Sequence, residues 1–141
     1  MMNDAEVRAH VYDVTMRGGR PPLIAELDAP SAEIVESLRR LAAGRVLVLQ
    51  RDSDEILMAA PFSAVATPFV VESGGVEYFG NCIWDALGIP AMLHRDAEIR
   101  TSCGDCGTSM TVRVENGVAK GDGLLHFAIP AREWWNDIVF T

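Results

Sequence analysis

The stretch NCIWDALGIPA, which begins at Asn81, places a cysteine and an aspartate three residues apart at the predicted start of a helix. Asn81 is a favourable N-cap residue, so the sequence predicts a helix over 82–93, kinked by Pro90, with Cys82 as its first residue. Backbone N–H groups and the helix dipole stabilise a thiolate there, and we expect the pKa of Cys82 to lie below that of an ordinary thiol. Asp85 follows on the same face, and its charge opposes thiolate formation.

A thiol and a carboxyl group on one helical face suit one kind of reaction. The soft nucleophile attacks a soft centre, and the acid protonates the group that leaves. The same spacing also fits a buried structural cysteine beside a capping aspartate, because free cysteines are frequently core residues. The spacing of Cys82 and Asp85 alone leaves both interpretations open.

A second cysteine motif, C-x-x-C, is formed by Cys103 and Cys106 within SCGDCGT. Flanking glycines are typical of turns that wrap sulfur atoms around a metal ion. A closed zinc site needs four ligands, and the candidates to complete it are Cys82 and either His126 or His94. A redox pair and a simple turn are the other interpretations, although a thioredoxin-type motif opens a helix and a strand is predicted here.

Three further side chains have two possible roles. His126 lies in the apolar segment 124–130, LLHFAIP, which predicts a strand, so it is either a core or surface residue or a catalytic one. Trp134 and Trp135 follow Pro130 in a predicted short helix. They either cover the core or form pocket walls.

The elements that must position these residues fall into two predicted modules. Residues 1–60 predict helices over 4–17 and 23–29, a helix from an N-cap at Ser31 to Gly44, and then a hairpin formed by RVLVLQ and EILMAA. Three helices followed by a hairpin is the order of a winged helix-turn-helix.

Residues 61–141 predict a mainly antiparallel sheet that carries the cysteine-bearing helix, so the fold class is α+β. One hairpin turns at Gly74 and Gly75, and a second turns at the C-x-x-C motif. The final residues, IVFT, predict the start of a strand.

Composition excludes several classes of protein. The 141 residues carry a net charge of −8, and the predicted helices of 23–43 hold only Arg39 and Arg40 against four acidic residues, so DNA is an unlikely partner. No apolar run approaches membrane-spanning length, and the N-terminus lacks a signal-peptide pattern. Three cysteines are then expected to be reduced thiols in the cytoplasm.

The stretch YFGNCIWDALGIPAML resembles the signature of the organomercurial (alkylmercury) lyase family, in which Cys-x-x-Asp lies on a helix. The preceding helical module, the AEIRTSC…GTSMTVRV hairpin and the IPAREWWNDIVF segment follow in the family's order, so the resemblance extends from about Ala29 to the end. It implies that Cys82 is a catalytic, mercury-binding cysteine and that Asp85 is the catalytic aspartate. Cys103 matches a structural cysteine, and Cys106 has no counterpart.

The implied reaction is protonolysis of a carbon–mercury bond, which gives a hydrocarbon and Hg(II) as the bound product. No organic cofactor is needed, and small cytosolic thiols or a mercuric reductase would accept the Hg(II). The alternative is a non-catalytic winged-helix protein that binds or senses a soft metal through Cys82, Cys103 and Cys106.

By resemblance, a second catalytic cysteine would come directly after Thr141. We therefore expect a truncated chain with impaired activity. A nonsense mutation, an artificially shortened chain or a UGA codon that encodes selenocysteine would each account for it.

Overall fold

The computed structural model describes residues 2–139 and has the α+β architecture expected from the sequence. The α-helices are α1 (Asp4–Gly18), α2 (Ser31–Ala43) and α3 (Ile83–Leu93), with short 3-10 helices at Ile24–Glu26 and Ala131–Asn136. The strands are β1 (Val48–Leu49), β2 (Ile56–Ala59), β3 (Phe62–Ser63), β4 (Val70–Ser73), β5 (Val76–Phe79), β6 (Ala97–Ser102), β7 (Ser109–Glu115) and β8 (Val118–Lys120). Over the same residues, no helix has the length and apolar character that crossing a bilayer requires.

Helices α1 and α2 enclose the first of two hydrophobic cores. A capping box opens α1, in which Oδ1 of Asn3 accepts from the Glu6 N–H at 2.9 Å and the Glu6 carboxylate accepts from the Asn3 N–H at 2.8 Å. The apolar stripe predicted for α2 is confirmed, because one of its faces is buried against α1. The buried apolar residues of the two helices are Val7, Val11, Ile34, Leu38 and Leu41.

Two predicted features of this module differ in the structure. Pro30, not Ser31, is the N-cap of α2, and no side chain caps that helix. The helix predicted over 23–29 is only a 3-10 turn, in which the Glu26 carboxylate accepts from the Leu23 N–H at 2.7 Å. Two α-helices and this turn therefore precede the antiparallel sheet β1-β2-β3. The winged-helix assignment and the division at residue 60 stay predictions.

The second core lies between α3 and one face of a five-stranded sheet. The strand order is β5-β4-β6-β7-β8, and every pair is antiparallel. Both predicted hairpin turns are confirmed, since β4 pairs with β5 around the glycine turn and β6 pairs with β7 around the cysteine turn. Helix α3 runs continuously through Pro90. The buried side chains are Val71, Tyr78, Ala86, Ile89 and Ile99, with Phe62 beside them.

The segment after β8 does not form the strand predicted over 124–130. It is irregular and largely exposed, with Leu124 99% exposed. A strand needs a neighbouring strand for its backbone hydrogen bonds, and none of the described strands pairs with this segment. Ile138 and Val139 lie in a turn, and the rest of the predicted final strand, Phe140 and Thr141, lies outside the described residues.

Tyrosine side chains join the two cores. The Tyr12 hydroxyl on α1 donates to the Ala60 carbonyl at 2.8 Å, and the Tyr78 hydroxyl on β5 donates to the Met16 carbonyl. The Phe62 ring lies between them, 6.4 Å from the Tyr12 ring and 5.5 Å from the Tyr78 ring, centroid to centroid. These contacts fix the helical module against β5, the strand that leads into α3.

Candidate active site

The connection from β5 to α3 determines where Cys82 lies. Gly80 packs so closely on the first turn of α3 that a Cβ atom there would be 2.8 Å from the backbone nitrogen of Ala86. The chain then continues in extended conformation through Cys82, whose carbonyl accepts from the Ala86 N–H at 2.9 Å. Cys82 is therefore the N-cap of α3, and the predicted cap at Asn81 is wrong by one residue.

The environment of the Cys82 thiol also differs from the prediction. Its sulfur accepts from the Asp85 N–H at 3.5 Å, as a capping side chain does. Burial nevertheless raises the pKa of Cys82, and the charge of Asp85 adds to that increase, while the N–H groups of Asp85 and Trp84 oppose it. The predicted lowering of this pKa is wrong, because loss of water around the sulfur outweighs the helix N-terminus.

Asp85 is held beside the thiol by Asn81. Nδ2 of Asn81 donates to Oδ2 of Asp85 at 3.0 Å and to the Pro61 carbonyl at 3.4 Å. Burial raises the pKa of Asp85, and the hydrogen bond from Asn81 moderates that increase. The carboxyl group is therefore more ready to hold a proton than an exposed aspartate, which suits a group that takes up and delivers a proton.

A cavity of about 420 Å³ lies over the start of α3 and is lined mainly by apolar side chains. Three separate parts of the chain form its walls. They are residues 45–48 with Met58 and Ala60, residues 81–85, and residues 126–129 with Trp134, Trp135 and Ile138. Cys82 and Asp85 thus face one apolar chamber, which has space for an organic group attached to a metal.

Aromatic rings form the outer wall of this cavity. The Trp84 ring stands edge-on to the Phe127 ring at 6.0 Å, and Phe127 lies 5.7 Å from Trp134, between ring centroids. The Trp134 indole N–H donates to the Ile129 carbonyl at 2.8 Å. The sequence left two roles open for Trp134 and Trp135, covering the core or forming pocket walls. In the structure both residues line the cavity.

His126 also lines the cavity and is exposed, so it is not a core residue. Sequence reasoning missed the wall contributed by residues 45–48 and the hydrogen bond from Asn81 to Asp85. The wall had no local signal, because these residues lie more than thirty positions before Cys82, in the connection from α2 into β1. The role of Asn81 had no helical signal, because Asn81 precedes the N-cap of α3.

Cys103 and Cys106 do not line the cavity, and they lie instead in the turn between β6 and β7. Hydrogen bonds from the side chain and backbone of Thr108, with a contribution from Cys103, lower the pKa of Cys106 to about 7. Across residues 2–139, no three or more His, Cys, Asp or Glu side chains gather where they could hold a metal ion. The three sulfurs of the predicted metal-binding alternative are therefore not gathered into one site.

Comparison with known proteins gives a family match and a structural match. The family model described as MerB, alkylmercury lyase, matches residues 62–141. Among solved structures, the mercury-bound form of MerB2 has a TM-score of 0.61 with 21% sequence identity, over 82% of this chain and 58% of that one. This chain thus spans 58% of the length of MerB2, and at this identity the likeness concerns the fold. No curated protein sequence matches.

The matched region contains the Cys82 and Asp85 pair, all of α3 and the whole five-stranded sheet. It covers more than half of the 141 residues. On this match, the chain belongs to the alkylmercury lyase family.

Proposed function

We propose that this protein cleaves the carbon–mercury bond of organomercurials by protonolysis, with Cys82 as the mercury ligand and Asp85 as the proton carrier. The observation that carries the proposal is that Cys82 and Asp85 both line one apolar cavity at the start of α3, where the backbone N–H of Asp85 donates to the Cys82 sulfur. A thiolate is the ligand that soft mercury prefers, and an apolar chamber suits its organic group.

The first step is binding of R–Hg–X, where X is a small ligand. The Cys82 thiol gives its proton to the Asp85 carboxylate, a sulfur–mercury bond forms, and X⁻ leaves. Burial raises the proton affinity of Asp85, which favours this transfer. Burial also disfavours a free thiolate at Cys82, and the new sulfur–mercury bond must offset that cost. Asn81 keeps the carboxyl group oriented through its amide.

In the second step the proton moves from Asp85 to carbon. The electron pair of the carbon–mercury bond forms the new C–H bond, R–H leaves, and Asp85 returns to its carboxylate form. Hg(II) stays on Cys82 and a second thiolate. A small thiol from solution can supply that second sulfur, and its proton passes to solvent. Small cytosolic thiols or a mercuric reductase then accept the Hg(II), and no organic cofactor takes part.

Charge in the helical module supports a role without DNA. Arg39 is paired with Asp54 at 2.8 Å, and Arg40 is paired with Asp4 at 2.8 Å, so both arginines of α2 already have carboxylate partners.

Free cysteines at all three positions suit the reducing cytoplasm.

The test is hydrocarbon release from phenylmercury in the presence of excess cysteine, with benzene measured by gas chromatography. We expect turnover by the wild-type chain and deuterium in the benzene when the solvent is D₂O. Cys82→Ser should abolish release, because a hydroxyl is too hard a ligand for mercury. Cys103→Ser is the matched control and should keep it, since Cys103 lies outside the cavity. Absence of benzene at every thiol concentration, or full release by Cys82→Ser, would refute the proposal.

A further inference from the structure

The turn between β6 and β7 brings two thiols together at the surface. The Cys103 N–H donates to the Thr108 carbonyl at 2.8 Å, and the Gly107 N–H donates to the Cys103 carbonyl at 2.9 Å. Gly107 has a φ of 75°, a left-handed conformation that glycine adopts without strain, so it can reverse the chain here. These bonds close residues 103–107 into one tight turn with a cysteine near each end.

The two thiols lie three residues apart within this turn. The Cys106 sulfur lies 3.1 Å from Oγ1 of Thr108, which follows the turn directly before β7. Cys106 is exposed and Cys103 is half-buried, so an ion from solution can reach both. Neither thiol is used by the proposed lyase mechanism.

We propose that Cys103 and Cys106 form a surface dithiol site that binds one Hg(II) ion, or another soft cation with a preference for two sulfur ligands, separately from Cys82. Hg(II) is satisfied by two thiolates in near-linear coordination, so a site for it does not need the four ligands of structural zinc.

The chemistry balances without any redox partner. Two S–H bonds break, both protons pass to solvent, and two sulfur–mercury bonds form, with no change in oxidation state. The Thr108 hydroxyl next to the Cys106 sulfur stabilises the thiolate that this exchange requires. The chain's net charge of −8 also favours a cation at the surface.

Because both thiols lie in one turn, the site should bind Hg(II) more tightly than free monothiols do. Once one sulfur has bound, the second is already present at high effective concentration, which raises affinity by about a hundredfold or more without a new contact. Such a site would hold Hg(II) against a monothiol competitor. It does not depend on the proposed lyase activity, because neither of its ligands lines the cavity.

The experiment uses the Cys82→Ser chain, in which Cys103 and Cys106 are the remaining thiols. HgCl₂ is titrated in the presence of excess 2-mercaptoethanol, and retained metal is counted by native mass spectrometry and by thiolate-to-mercury absorption in the ultraviolet. We expect one Hg(II) per monomer. Adding Cys103→Ser or Cys106→Ser should each lower the affinity by about a hundredfold. Ser102→Ala, at the end of β6 next to the turn, removes no sulfur and should leave the affinity unchanged.

Any of four results would contradict the proposed dithiol site. The first two are that the Cys82→Ser chain retains no metal, or that only one of the two cysteine substitutions lowers its affinity for Hg(II). The other two are that mercury bridges two chains, or that Cys103 and Cys106 form a disulfide that 2-mercaptoethanol does not reduce. Circular dichroism of each variant shows whether the fold is kept. Because Cys82 is absent throughout, failure here leaves the lyase proposal standing, and failure of benzene release leaves this site standing.

Discussion

The Asn81 amide donates to Oδ2 of Asp85 across 3.0 Å and so fixes the carboxyl group next to the Cys82 thiol. Asn81 is itself held from the other side, because the same nitrogen reaches the Pro61 carbonyl at 3.4 Å. Pro61 lies in the turn between β2 and β3 of the three-stranded sheet. The orientation of the proposed proton carrier thus depends on how this turn packs beside the start of α3.

Replacing Asn81 should raise the pKa of Asp85 further. The hydrogen bond from Asn81 favours the charged carboxylate, and burial, which disfavours it, would then act alone. We expect Asn81→Ala to shift the titration of the Asp85 carboxyl, followed by ¹³C NMR, to higher pH. Asn136→Ala, at an exposed asparagine, should not shift it. An unchanged or lower pKa in Asn81→Ala would show that the amide does not position this carboxyl group.

Asp85 should lower the free energy of unfolding at neutral pH. Because burial raises its folded pKa above the ordinary 3.8, the folded chain binds the proton more tightly than the unfolded chain. Stability from this group is therefore present below about pH 3.8 and falls as pH rises through the folded pKa. Asp85→Asn should have a higher free energy of unfolding than wild type at pH 7, by urea denaturation, while it loses benzene release.

Asp4→Asn provides the control of opposite sign. Hydrogen bonds from Arg40 and Ser37 lower the pKa of Asp4 from 3.8 to about 2, so its contribution is present above pH 3.8 and lost as pH falls through 2. Asp4→Asn should destabilise the protein at pH 7 and match wild type at the acid limit. Changes of the same sign in both variants at pH 7 would contradict this account.

The cysteines should react in an order set by their surroundings. Cys106 is exposed with a pKa lowered to about 7, whereas burial raises the pKa of Cys82. Iodoacetamide at neutral pH should modify Cys106 first, as measured by peptide mass spectrometry, and Cys82 only at alkaline pH. Thr108→Val should slow the Cys106 reaction, because the Thr108 hydroxyl is the largest cause of its lowered pKa. Faster modification of Cys82 at neutral pH would contradict this order.

Features fixed by local chemistry were predictable from the sequence, and features set by distant packing were not. The turn at Gly74 and Gly75 and the apolar stripe of α2 follow from residue type and period, and both were confirmed. The strand over 124–130 was wrong because β propensity forms no strand without a partner.

The properties of Cys82 show the same limit. Its cap position depends on how Gly80 meets Ala86. Its raised pKa depends on burial beneath cavity walls that include Val48 and Met58, far away in the sequence. The Cys82 and Asp85 pair itself was visible in the sequence, but the enclosure that sets its proton affinity was not.

Gly80 should tolerate no side chain. A Cβ atom there would lie 2.8 Å from the backbone nitrogen of Ala86, and the first turn of α3 would have to move. We expect Gly80→Ala to lower the free energy of unfolding by about 1–3 kcal/mol and to reduce benzene release by displacing Cys82. Gly18→Ala is the matched control, since a Cβ at that helical position meets nothing within 4 Å, and it should be neutral or slightly stabilising. Equal effects of the two changes would disprove the close contact.

Trp84 should influence which organic group the proposed lyase site accepts. Its ring is 53% exposed and meets the Phe127 ring at 6.0 Å, so it forms part of the outer aromatic wall next to Cys82. A phenyl group can pack against this wall and a methyl group is too small to do so. Aromatic packing of this kind contributes about 0.5–1.5 kcal/mol, so Trp84→Ala should raise KM for phenylmercury severalfold.

The same substitution should change KM for methylmercury little, because Cys82 and Asp85, which carry the proposed reaction, keep their places. Val118→Ala, which removes an exposed apolar side chain on β8 outside the cavity lining, is the control and should leave both KM values unchanged. The comparison requires hydrocarbon release from both substrates under the same concentration of free cysteine. If Trp84→Ala weakens the two substrates equally, the aromatic wall supports the fold of the site and does not select the organic group.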